Sequence, residues 1–466
     1  MNLQGRPDAA ARLRVAVVGL WHLGSVSAAC LASLGHSVIG VDEDSNRLAK
    51  LSIGNAPVYE PGLDELLATQ IAAGRLTFTA DLENAVRRSD LVIIAYDTGV
   101  TEIDKGDMGL IQKSMDRIIP SLMDGNALLL FSQVPVGTCR AIQDRMRTDR
   151  GGLRAGVAYI PENLRLGQAI ERFLRPDMVV IGVEDTMTGQ CAERLLAPID
   201  APKVRTNLAT AEMVKHAINA FLATCISFAN ELAALCEVSG ADATQVTAAL
   251  RMDRRVGIGT PVSPGTGFGG GTLARDVTVL RRLAENAGVQ PLLLDAVVAV
   301  NDRQRLIPIR WLRETFGQLS GLRIGVLGLT YKPGTSTVRR SIGLELIHTL
   351  VREGMEVGAS DPKADLAEVD NLPAFHFSRD PYAIADGKDA LLIMTAWPEF
   401  GNLDYGRIRT LMRHPVLFDL PNMLDPQTLS DLGFVYIGLG RKRNSLSPTG
   451  VSARQSSHMT TPPTME

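Results

Sequence analysis

The stretch RVAVVGLWHLG, residues 14–24, constrains the fold more than any other part of the chain. A five-residue apolar run enters a glycine turn and continues as SVSAACLASLG, which suits a helix. HSVIGVDED then supplies a second apolar run ending at Asp42. Apolar runs without alternation must be covered on both faces, as are the strands of a parallel sheet flanked by helices. Asp42 follows Gly19 by 23 residues, close to the spacing at which an acid ending the second strand of a dinucleotide fold meets a ribose. The spacing predicts a βαβ unit.

A near-copy opens the last third of the chain. RIGVLGLTYKPGT, residues 323–335, repeats the strand and glycine turn, followed by the helical SIGLELIHTLVREG and by MEVGASD ending at Asp361. Further strands are predicted in DLVIIAY (90–96), NALLLFSQ (126–133), MVVIGV (178–183), DALLIMT (389–395) and PVLFDL (415–420). Residues 207–238 contain neither proline nor glycine and are apolar on most faces, which predicts one long helix buried on several sides. The expected fold is α/β: two doubly wound Rossmann-like domains joined by a long central helix. Its expected parts are a tail (1–13), a Rossmann-like domain (14–206), a central helical and dimerisation region (207–320), a second Rossmann-like domain (321–441) and a disordered Ser/Thr/Pro-rich tail (442–466).

Composition narrows the function. Against 51 acidic residues stand 48 basic ones, a net charge of −3, so no basic surface for nucleic acid is expected. Five cysteines, Cys30, Cys139, Cys191, Cys225 and Cys236, are widely spaced and form no C-x-x-C pair. They read as reduced thiols of a cytoplasmic protein, and no metal site is expected. The N-terminus lacks the apolar core of a secretory signal, and no run of 18 apolar residues suggests a membrane span.

Four places carry candidate chemistry. In the first turn, Gly19 and Gly24 hold the outer positions of a G-x-G-x-x-G pattern, but Trp21 stands at the middle glycine, where an indole crowds a pyrophosphate. The helix N-terminus and Asp42 remain for a dinucleotide, and Asp42 disfavours a 2′-phosphate, hence NAD over NADP. Glu162 follows a proline at a strand-to-loop edge. Glu212, Lys215 and Asn219 share one face of the apolar helix. A lysine buried there is a proton relay or oxyanion stabiliser, with Asn219 holding a water or the ammonium. SPGTGFGGGTLARD, residues 263–276, is a glycine-rich loop leading into a helix, beside the cluster Arg251, Arg254 and Arg255, with N–H groups free for phosphate or sugar oxygens.

Taken together these residues resemble the UDP-glucose/GDP-mannose dehydrogenase family. The resemblance runs from about 14 to 441 through VYEPGLDELL (58–67), SQVPVGT (132–138), IPENLRLG (160–167), AEMVKHAINAFLA (211–223), MDRRVG (252–257), GTGFGGGTLARD (265–276), GLTYKPGTSTVRRS (328–341), MTAWPEF (394–400) and GFVYIGLGR (433–441). It implies oxidation at C6 of a nucleotide sugar with NAD, in a homodimer or larger homo-oligomer. By the same resemblance Glu162 is an acid/base acting through water, Lys215 steadies the oxyanion, Asn219 is its hydrogen-bonding neighbour and Asp276 helps hold the catalytic water. Arg255 reaches the substrate of the adjacent subunit, and Gly265, Gly267, Phe268, Gly269 and Gly270 cradle the sugar. Lys332 and Arg339 match residues at the cofactor and sugar-nucleotide sites, and join Gly19, Gly24, Asp42 and Gln133 in the cofactor-binding set.

The departures concern the same pockets. The family segment G-F-G-G-S-C-F-x-K-D carries the cysteine that attacks the C6 aldehyde, and Thr272 occupies that position here. A threonine hydroxyl is a far weaker acid than a thiol, whose pKa is about 8.5. Trp21, Gln133, Ile160, Asn163, Arg275 and Leu420-Pro421 also replace family residues. Oxidation to the uronate is therefore in question. Two alternatives stay open: a single two-electron oxidation to an aldehyde or ketone, and an inactive nucleotide-sugar-binding paralogue.

Overall fold

A computed structural model describes residues 12–97, 108–161, 164–269 and 271–442. The expected tail falls almost wholly outside these residues, as do Glu162, Asn163 and Gly270.

The first sheet is built from β1 (Arg14–Val18), β2 (Ser37–Val41), β3 (Leu76–Thr79), β4 (Leu91–Ile94), β5 (Ala127–Leu130), β6 (Gly156–Tyr159), β7 (Val179–Val183) and β8 (Lys203–Thr206). Their spatial order is β3-β2-β1-β4-β5-β6-β7-β8. The central strands β4, β5 and β6 are buried at every position, as their unbroken apolar runs require. All pairs are parallel except β6 with β7. The second sheet comprises β9 (Arg323–Leu327), β10 (Glu356–Ser360), β11 (His376–Phe377), β12 (Ala390–Ile393), β13 (Val416–Asp419) and β14 (Val435–Gly438), ordered β11-β10-β9-β12-β13-β14. The repeat visible in the sequence is thus a repeat of topology. In each sheet the strand order reverses beside the strand that precedes the glycine turn, and ligands of such folds bind in the crevice at that reversal.

The predicted helix spans Leu208–Ser239. Asn207 caps its start by accepting from Thr210 N at 2.8 Å, and Gly240, at φ 81°, ends it in the left-handed conformation. Leu208 and Ala211 belong to the core of the first sheet, whereas Ala233 and Cys236 belong to the core of the second. One rigid rod of about 48 Å therefore ties the two cores together. Between those ends it packs on the helices Leu273–Asn286 and Leu292–Arg305. By length and composition alone this helix is apolar enough to cross a membrane. Its buried Glu212, Lys215, His216, Asn219 and Asn230, however, lie against other parts of the protein, which makes it a core helix.

Candidate functional site

At the first glycine turn Gly19 has φ 89°, and a Cβ there would come within 2.5 Å of the Tyr96 ring. A Cβ on Gly24 would overlap the Gly19 carbonyl oxygen. Both glycines are therefore required by the turn itself. Asp42 closes β2 and is nearly buried; it accepts from Leu20 N at 2.8 Å and Asp44 N at 2.9 Å and is paired with Arg47 Nη1 at 2.8 Å. Gly19, Trp21, Asp42, Arg47, Tyr96 and Asp97 line one concavity. Trp21 precedes the helix His22–Ser33 and is 36% exposed, with the Arg339 guanidinium from the second sheet's domain 5.6 Å from its ring centre. One N–H of that helix start, Leu23 N, already donates to Asp97 Oδ2 at 3.0 Å.

Behind the turn, Glu60 links segments far apart in sequence. It meets His22 Nε2 at 2.9 Å and accepts from Gly167 N at 2.9 Å and Ala169 N at 2.8 Å. Burial pushes its carboxyl up, but His22 and the two backbone N–H groups outweigh that and hold it below the usual carboxylate range. The 165–167 loop fixed in this way touches the second glycine turn. Lys332 Nζ donates to Leu166 O at 3.2 Å, and a Cβ on Gly167 would stand 3.1 Å from Gly334 O. Burial, and then the charge of Arg165, lower the Lys332 pKa against the pull of Glu60. Lys332 thus lies at the seam between the two domains and not in the concavity beside Asp42.

The densest polar cluster centres on Asp276, which has no exposed surface and sits in the first turn of the helix Leu273–Asn286. Its carboxylate accepts from the side-chain amides of Gln133 and Asn219 and meets His216 Nδ1 at 3.0 Å. The Arg275 Nε lies 3.9 Å away. Lys215, adjacent to His216, is buried on the same helix face. Glu212, one turn earlier, accepts from Gly137 N at 2.6 Å and Cys139 N at 2.8 Å and so caps the helix Thr138–Asp149. The structure therefore brings Asn219, Asp276 and Gln133 together. Gln133, expected at the cofactor, reaches from the loop after β5 to Asp276.

The glycine-rich loop is corrected in one respect. Its N–H groups were expected to be free, yet Gly265 N donates to Asn230 Oδ1 and Phe268 N to Asn301 Oδ1, both at 2.8 Å. The Phe268 ring is buried with Ala220, Ala223, Val277 and Val297 and so anchors the loop. Gly267, at φ 95°, leaves no room for a Cβ beside Asn301, and Gly269 packs within 3.0 Å of the Arg340 carbonyl in the second domain, measured from where a Cβ would lie. Thr272 is exposed at the start of the helix that carries Asp276, its carbonyl accepting from Asp276 N at 3.1 Å, and its side chain makes no capping bond. Arg255 is also exposed, paired with Asp253 at 2.7 Å. Each of the five cysteines lies in an apolar cluster other than the one around Phe268 and Val277; Cys225 packs with Ala229 and Val262, and burial pushes its thiol up.

Three domain models describe this arrangement: the NAD binding domain of the UDP-glucose/GDP-mannose dehydrogenase family matches residues 13–200, its central domain 209–303 and its UDP binding domain 325–426. The UDP-glucose 6-dehydrogenase of Pseudomonas aeruginosa is 37% identical over 447 residues, covering 92% of this chain and 98% of the relative. The chain belongs to the UDP-glucose/GDP-mannose dehydrogenase family. UDP-glucose 6-dehydrogenase TuaD of Bacillus subtilis is 35% identical, with 92% of this chain and 93% of the relative covered. Among solved structures, a UDP-glucose dehydrogenase from Pyrobaculum islandicum matches with TM-score 0.83 at 33% identity, covering 89% of this chain and 95% of that one. A UDP-D-ManNAc dehydrogenase from Pyrococcus horikoshii matches with TM-score 0.83 at 27% identity, covering 93% and 100%.

This dehydrogenase is an NAD-dependent oxidoreductase that acts on a CH–OH group of a nucleotide sugar. The first turn fits its cofactor, because Gly19 and Gly24 keep the backbone close to the helix start and Asp42 ends β2 where a ribose is held. When bound, NAD supplies the hydride acceptor. The sequence reading missed His216 and Glu60. A signal existed for each: His216 follows Lys215 and lies one turn beyond Glu212 on the same face, and Glu60 is an acid within an otherwise apolar, proline-bounded run.

Proposed function

We propose that this dehydrogenase oxidises C6 of UDP-glucose or a closely related UDP-sugar, and that its own turnover ends after one two-electron step, at the aldehyde. The named relatives support the substrate class. The single observation that carries the single step is Thr272, an exposed hydroxyl one turn ahead of Asp276, with the cysteines packed in apolar clusters of their own. Taking the hydroxyl proton from C6 needs only a carboxylate or a water held by one, together with an aligned sugar. Asp276 fills that role, Asn219 fixes its carboxylate, Lys215 steadies the developing oxyanion, and Glu162 completes the water relay. The second oxidation normally follows capture of the aldehyde by a thiolate, which a threonine hydroxyl does not replace. Purified chain is given NAD with UDP-glucose, UDP-N-acetyl sugars or GDP-mannose, and NADH is counted against sugar consumed. One NADH per sugar is expected. Two would overturn the single step, and none with any sugar would favour a binding protein without turnover.

Trp21 is proposed to narrow the cofactor turn. Its contact with Arg339 is worth about 0.5–1 kcal/mol at a half-exposed position, so relief of crowding decides the sign of its removal. Trp21→Gly is expected to lower the KM for NAD several-fold at saturating nucleotide sugar. An unchanged or raised KM would show that the indole stands clear of the cofactor.

We also propose a homodimer formed through the outer face of the long helix, where Phe221, Phe228 and Leu235 recur every seventh residue and are exposed. Such a stripe is costly in water and suited to a second copy of the same helix. Sedimentation should show a dimer for the natural chain and a monomer for Phe228→Glu. A natural chain that sediments as a monomer would refute the interface.

A further inference from the structure

His216 is buried to 1% exposure, with Nδ1 3.0 Å from Asp276 Oδ1 and Nε2 2.9 Å from Val134 O. A backbone carbonyl only accepts, so Nε2 carries hydrogen. Gln133 and Asn219 also donate to the Asp276 carboxylate, and the Arg275 guanidinium stands beside it. The side chains that meet this carboxylate are hydrogen-bond donors and a cation. His216 thus bridges a backbone carbonyl of the first domain and the Asp276 carboxylate.

We infer that His216 is a positioning residue for the dehydrogenase reaction: a buried ring held between Val134 O and Asp276, which fixes the carboxylate rotamer. The inference rests on the proposed role of Asp276. Gln133 from the first domain, His216 and Asn219 from the long helix and Asp276 from the helix Leu273–Asn286 are thereby locked into one unit, so its orientation depends on all three elements packing together.

The test uses the full chain. In kinetics, His216→Phe is expected to lose about 10²-fold in kcat with the KM for the nucleotide sugar little changed. His216→Gln, which can still donate to Asp276, should recover part of that loss. A His216→Gln variant no better in kcat than His216→Phe would overturn the inference. Equal kcat for His216→Phe and the natural enzyme would also overturn it. Asp276→Asn separates the two ideas: little loss there removes the role on which the inference rests, whereas a large loss there beside an unaffected His216→Phe removes His216 alone.

Discussion

Asp276→Asn is expected to lower kcat for NADH formation by about 10²–10⁴, the range typical of a lost acid–base group. The substitution keeps the shape of the side chain and removes only its charge and one acceptor. The amides of Gln133 and Asn219 and the His216 ring would then face an NH₂ group over half of their former target, and the Arg275 guanidinium would lose its neighbouring charge. Part of the effect must appear as lost stability, so thermal melting has to accompany the kinetics. The discriminating result is a folded variant whose KM for the nucleotide sugar is close to natural while kcat collapses. That pattern marks an interaction made only in the transition state. A folded variant that keeps kcat within a few-fold would make Asp276 a structural buried acid and remove it from the mechanism.

The two α/β sheets were legible because their chemistry is local. Val15–Val18 and Ile324–Leu327 are strands with covered faces, each running into a glycine that only its turn geometry explains. The long helix was legible for the same reason, and its observed ends at Asn207 and Gly240 are the capping residues that the uninterrupted apolar stretch leads to. Less visible were the sheet edges. β8, KVRT, is mostly exposed, and β11 is two residues long, so neither has an apolar run to announce it. In the site, Asp276, Asn219 and Lys215 could be named, yet what joins them could not. Glu60 meets Gly167 across 107 positions, and Gln133 meets Asp276 across 143. The first pair exists only once the first domain has folded, and the second only once that domain has met the helix Leu273–Asn286. The loop at Gly265–Gly269 misled for a related reason: its glycines are real, but the acceptors that consume its N–H groups, Asn230 and Asn301, come from distant helices.

Thr272→Cys is expected to raise the yield from one NADH per sugar to two. The position is well suited to the exchange. Its backbone angles, φ −93° and ψ −58°, are ordinary for any residue, and its hydroxyl makes no capping bond that a sulfur would forfeit. A cysteine at a helix N-terminus has its thiolate stabilised by the unpaired N–H groups of the first turn, below the free value of about 8.5. The thiolate would add to the aldehyde carbon while the oxygen takes a proton from water, giving a thiohemiacetal, a second alcohol open to oxidation. Transfer of its hydride to a second NAD, with the hydroxyl proton passed to water, gives a thioester, and water then cleaves the C–S bond to release the carboxylate and regenerate the thiol. The native cysteines do not confuse the count. Burial pushes the thiols of Cys139 and Cys225 up and keeps them protonated, and both are packed among apolar side chains. A variant still limited to one NADH per sugar would mean that residue 272 does not face the reacting carbon. Two NADH per sugar from the natural chain would mean that the hydrated aldehyde suffices, and that threonine at this position costs the enzyme rate but not product.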